Sequence, residues 1–280
     1  MTRTRFTVLD DTQRHPDLAE RIDQNLRQVA PTVTEITGLP LPAEVRVRLL
    51  TPRAWRQEVR QHLHRVLVRD IADLDLLPAE MGGARLGLKI ASFKPVLLWP
   101  LVPATAQEAA DARWETTTVP QALCHSGVLT DEHFLVQVVA HELVHHMQAE
   151  AASGAVWASL FLPKRGILAS PKSVPTVLEG HATWAEQQTL TRLFGTAADF
   201  RDGPKSGRYR LHNRNIIRRL GPSREAYVQG SRLIAQAVAE LGTGLVNQIW
   251  KDLSLLPTEK EITDPAAWIY RIERGHARAC

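Results

Sequence analysis

The 280 residues are 44% hydrophobic and 23% charged, with a formal net charge of +4. That balance suits a sizeable core or two lobes around a cleft, and it is too mildly basic to demand nucleic acid. No apolar run approaches the roughly 18 residues of a membrane span, and the polar opening "MTRTRFTVLDDTQRHPDLAE" lacks the apolar segment of a signal peptide, so a cytoplasmic protein is expected.

From Pro16 to Thr37, Leu18, Ile22, Leu26, Val29, Val33 and Ile36 recur three or four apart, which predicts an amphipathic helix. "GLPLP" ends it. "EVRVRLL" (Glu44 to Leu50) alternates and predicts a half-exposed strand. A second helix opens at Thr51-Pro52 and runs to about Leu74, with His62 and His64 read as surface residues. After Gly82-Gly83, "ARLGLKIASF" and "PVLLWPLVP" predict a strand pair, Ala104 to Thr118 is a polar stretch, and "QALCHSGVL" (Gln121 to Leu129) is expected to be a short strand. Cys124 within it reads as a buried thiol. The only other cysteine is Cys280, so neither a disulfide framework nor a cysteine-rich zinc pattern is present.

From Thr130 the chain is mostly helical. Thr130 or Asp131 caps a helix that runs to about Ser153. Ser173 caps another, with Pro175 in its first turn and Gly195 just past its end. A last pair is expected at about Arg224 to Leu241 and Gly244 to Leu253. The reading is α+β: a mixed N-terminal lobe, residues 1–129, with a small sheet, and a mainly helical lobe, residues 130–280. The basic run from Arg201 to Arg219 reads as a solvated loop entering a helix, and it leaves an anionic partner, nucleic acid included, open.

The helix after Asp131 contains "VVAHELVHHMQAE". His141 and His145 are four apart, so both imidazoles lie on one face and can address one ion. Glu142 sits about 100° round, placed to reach a water rather than the ion. This H-E-x-x-H spacing serves metal-assisted hydrolysis. Val138, Val139, Leu143 and Val144 surround it, and isolated charge in such a setting is expensive. His146 lies on another face and is set aside as a ligand. A third ligand is needed. The extended form H-E-x-x-H-x-x-G-x-x-H is excluded by Gln148 and Ala151. "SVPTVLEGHATWAEQQ" (Ser173 to Gln188) supplies candidates. Glu179 is on the apolar side and is the choice. His181, two residues on, points elsewhere, either beside the site or to solvent. Thr183 is placed to hydrogen-bond the Glu179 carboxylate.

His141-Glu142-Leu143-Val144-His145 followed by Glu179-Gly180-His181-Ala182 resembles the gluzincin zinc metallopeptidases, closest to the minigluzincin group with its E-G-x-A helix. "YVQG" (Tyr227 to Gly230) and "LPTEKEITDPAAWIYRI" (Leu256 to Ile272) are similar to that group's Y-x-x-G and P-x-[ST]-x-E-x-I-x-x-P segments, although Glu259 follows Thr258 directly. The likeness covers roughly Gln121 to the C-terminus. It implies a zincin-like fold, Zn2+ held by His141, His145 and Glu179, Glu142 as general base, and Tyr227 or His181 as oxyanion stabiliser. It implies a peptide or protein substrate, paired by an edge strand near "QALCHSGVL". The alternative is a non-proteolytic zinc-binding regulator on the same scaffold. Sequence leaves the oligomeric state undetermined.

Overall fold

The computed structural model describes residues 4–72, 98–153, 173–197, 199–214 and 224–279, with the single positions 82, 86 and 93. The architecture is α+β, with one four-stranded sheet in the N-terminal part and helices through the rest. The chain packs into two compact units. The first comprises 1–29, 43–142 and 198–221; the second comprises 30–42, 143–197 and 222–280.

In the first unit the sheet order is β1 (Arg5–Asp10), β2 (Glu44–Leu49), β4 (Trp114–Thr118), β3 (Ala104–Glu108). β1, β2 and β4 are parallel, and β3 runs antiparallel at the edge beside β4. β2 keeps its predicted alternation: Val45, Val47 and Leu49 are buried, while Arg46 and Arg48 line the other face. The return from β1 to β2 is made by α1 (Pro16–Thr37), whose bounds are those the spacing predicts, with Leu18, Ile22, Leu26, Val29 and Val33 buried. α1 closes on Gly38, whose φ of +65° is the left-handed conformation glycine adopts at least cost.

α2 (Pro52–Ala72) follows β2. His64 is exposed as expected, but His62 is half-buried, with Nδ1 3.2 Å from the Glu108 carbonyl. The expected strand "ARLGLKIASF" lies almost wholly outside the described residues. In "PVLLWPLVP" the described part is a 3-10 turn, Trp99–Leu101. The polar stretch 104–118 is the β3–β4 hairpin, and "QALCHSGVL" is not a strand. It forms α3 (Pro120–His125) and a 3-10 turn, Val128–Thr130. Pro120 in the first turn of α3 has no N–H to lose and presets the helical φ. Cys124 is exposed, not buried, because it lies off the face that Ala122 and Leu123 bury on this short helix.

Where it is described, the basic run leads into a helix as expected, with Arg208, Arg210 and Arg214 exposed, but its loop is docked rather than fully solvated. Lys205 Nζ donates to the Ser126 carbonyl at 2.6 Å, and the Ser206 N–H donates to His125 O at 3.1 Å. The Arg208 guanidinium lies 5.2 Å from the Trp99 ring centre. Gly127 makes the fit possible: a Cβ there would sit 2.2 Å from Pro204 O. α6 (Gly207–Arg214) follows, and Arg218 and Arg219 lie outside the described residues.

α4 (Glu132–Ala151) belongs to the first unit up to residue 142 and to the second beyond it. The second unit also holds α5 (Ser173–Phe194) and α7 (Arg224–Val246), which breaks at Gly242 (φ 76°) and runs into a 3-10 turn, Asn247–Trp250. That turn stands where the sequence predicts a longer final helix. The chain continues through α8 (Glu259–Thr263) and α9 (Pro265–Ala279). α8 opens with a capping box: Thr258 Oγ1 accepts from the Glu261 N–H, and the Glu261 carboxylate accepts from the Thr258 N–H. Arg271 binds Glu261 from α9. Among the described residues, no helix is long and apolar enough to cross a membrane.

Candidate metal centre

α4 begins as its sequence dictates. Asp131 Oδ1 accepts from the His133 N–H at 2.9 Å, and Glu132 in the first turn accepts from Asn25 Nδ2 at 2.8 Å and from Arg21. Burial opposes ionisation of Glu132, but these donors hold its carboxyl below the usual carboxylate range. The helix is then buried nearly all round: Leu135, Val136, Ala140, Leu143, Val144 and Met147 are at most 1% exposed. His141 and His145, one turn apart, are 9% and 4% exposed, and Glu142 between them is half-buried.

α5 supplies the opposing residue. Glu179 is half-buried, and its Oε2 lies 3.7 Å from His145 Nε2. The donor atoms of His141, His145 and Glu179 all lie within 4.8 Å of one another. Gly180 allows this helix to meet α7 backbone to backbone. A Cβ on Gly180 would fall 2.3 Å from the Gly230 carbonyl carbon, and one on Gly230 would fall 2.1 Å from Thr176 O. The residue after the third donor is therefore held against α7 where no larger side chain fits. Tyr227, half-buried, is one helical turn before Gly230 on α7.

The remaining site residues fall as follows. His181 is 1% exposed, which removes the solvent-facing option. Its ring sits edge-on to Trp250 and tilted on Trp184, with centroids at 5.2 and 5.6 Å. His146 is 2% exposed. Burial, reinforced by the His145 ring, pushes both imidazoles down to about 3, so both are neutral at physiological pH. Thr183 Oγ1 is buried without a hydrogen-bond partner among the described residues, so the expected bond to Glu179 is not made.

One residue of the site was invisible in the sequence except as a reason to exclude a longer motif. Gln148 is fully buried, and its side chain bridges His145, the Leu178 carbonyl and His181 at 2.8, 3.0 and 3.1 Å. The signal was a lone amide one turn beyond His145 in an apolar helix, a group that cannot be buried without partners.

Residues 132–269 match the model of a family described as zincin-like metallopeptidases. This segment is therefore similar to zincin-like metallopeptidases. The zincin-like segment contains both donor motifs, Tyr227 and the Gly180–Gly230 crossing. No curated protein matches the chain. Among solved structures, the chain is similar to a Chloroflexus aurantiacus protein described as a candidate hydrolase with a novel fold. The two are 17% identical, with a TM-score of 0.52 over 91% of this chain and 90% of that one. That likeness concerns the fold.

A separate basic feature lies on α2, where Arg53, Arg56, Arg60 and Arg65 line a groove of about 800 Å³ with Gln57, Gln61 and His64. Positive charge is thus concentrated on this helix as well as in the 201–219 run.

Proposed function

We propose that this protein is a zinc-dependent metallopeptidase of the gluzincin type, with His141, His145 and Glu179 as metal ligands and Glu142 as general base. The observation that carries the reading is the convergence of those three donors beside Glu142. The donor set fits zinc: two imidazoles and one carboxylate, with no thiolate, is the composition of a catalytic zinc site that keeps a position open. A bound zinc ion would supply Lewis acidity, polarising a carbonyl and lowering the pKa of water towards about 7.

The chain's own residues do the rest. Glu142, half-buried at the edge of the ligand face, takes a proton from the attacking water on its carboxylate. The hydroxide equivalent adds to the peptide carbonyl carbon. As the C–N bond breaks, Glu142 returns the proton to the leaving nitrogen, so that one water is consumed and an acid and an amine are formed. We assign the hydrogen bond to the developing oxyanion to Tyr227, since His181 is 1% exposed and its ring is packed on Trp184 and Trp250.

The test is Glu142→Gln in the full chain, assayed against a peptide library. Zinc content is expected to stay at the wild-type level while hydrolysis falls by about 10²- to 10⁴-fold. Full hydrolytic rate in that variant contradicts the mechanism. Zinc at one per chain with no cleavage by the wild type would favour the non-proteolytic reading.

A further inference from the structure

Gln148 lies on α4 three residues after His145 and is fully buried. The orientation of its amide is fixed by chemistry. The Leu178 carbonyl can only accept, so the group 3.0 Å from it must be the amide nitrogen. The second amide hydrogen then points at His181 Nδ1, 3.1 Å away. The amide oxygen is left facing His145 Nδ1 at 2.8 Å. An amide oxygen cannot donate, so His145 Nδ1 must carry the proton. His145 Nε2, the atom turned to Glu179, keeps its lone pair.

The geometry points to Gln148 as the positioning residue of the metal centre: it holds His145 as the Nδ1–H tautomer with Nε2 presented to the ion, and Leu178 O and His181 Nδ1 hold the amide in that sense. This rests on the metal-ligand reading above. Isolated imidazole side chains prefer the Nε2–H tautomer, which blocks the ligand nitrogen, so the amide works against the intrinsic preference. It also joins two ligands. Leu178 immediately precedes Glu179, so one side chain on α4 orients His145 and grips the backbone beside the third donor on α5. His181, tightly packed on Trp184 and Trp250, acts through this amide as an acceptor.

The experiment uses the full chain, with Zn2+ alone as the probe, and two readouts. The first is ring ¹⁵N NMR of His145 in metal-free wild type, where the Nδ1–H tautomer is expected. The second is zinc affinity by competition with a chromophoric chelator. Gln148→Met, which keeps the length and removes the acceptor, is expected to weaken zinc binding by about 10- to 100-fold and to return His145 to the Nε2–H form. Gln148→Glu, which keeps an acceptor for His145, is expected to retain more of the affinity than Gln148→Met. A Nε2–H tautomer in wild type overturns the inference, and this readout stands even if a variant fails to fold. Wild-type zinc affinity in Gln148→Met overturns it while leaving the ligand set intact. No zinc binding by the wild type overturns the ligand reading itself.

Discussion

Two buried polar clusters in this protein are built on different rules. On the sheet, Glu115 of β4 is inaccessible, and Arg48 of β2 reaches Glu115, Glu58 and Asp11, while Arg46 stands 3.8 Å from Glu115. Cations and anions from neighbouring strands answer each other there. On α4 and α5, by contrast, His141, His145 and Glu179 bring three lone-pair donors to one point, and the histidines behind them are neutral. A cluster that balances its own charge secures a fold. A cluster of converging donors, one of them in contact with a buried amide, is what the proposed site offers to a charge that comes from outside.

The largest expected effect that tests this contrast is on the sheet. Arg48→Met leaves Glu115 buried with Arg46 as its remaining cation among the described residues, and it should cost about 3–5 kcal/mol, read as a lowered urea midpoint at unchanged m-value. A loss of a few tenths would mean that the sheet does not depend on charge balance. On the helical side the corresponding constraint is steric. Gly180→Ala sets a Cβ 2.3 Å from the Gly230 carbonyl carbon and should cost about 3 kcal/mol, the upper part of the overpacking range. Thermal unfolding measures it, and a neutral substitution would show that α5 and α7 do not cross so closely.

The smallest effect is one of sign. Burial, opposed by Arg48, pushes the Glu115 carboxyl up. With its folded pKa above its unfolded value of about 4.5, the native state binds the extra proton between the two, so stability falls as pH rises through that window. Glu115→Gln lacks this penalty. Its stability relative to wild type should improve from pH 4 to pH 7, by denaturant unfolding at each pH. A relative loss over that range would show that the ion pairs outweigh burial.

The same contrast explains what could be read from the sequence. α1 was legible to the residue and β2 to within one residue, because their apolar side chains repeat at 3.6 and 2 and meet one buried face. The hairpin β3–β4 was not. β4 is "WETTT", and Glu115 to Thr118 are buried polar residues whose partners, an arginine on β2 and backbone groups, no local pattern announces. The two helical donor motifs were legible because a helix converts spacing directly into a shared face. Gln148 was not, because its three partners come from two helices, and sequence gives no distance between them. The closing helices were missed for a related reason: the Thr258–Glu261 capping box stood inside a segment valued only for its likeness to others.

The central claim is that Glu179 completes a metal site with His141 and His145. Metal content of purified wild-type and Glu179→Ala protein tests it most directly. The ligand set predicts about one zinc per wild-type chain, as four-coordinate sites with three protein ligands hold, and a clear deficit in the variant after brief chelation. Equal zinc, held equally tightly, in both proteins would contradict it.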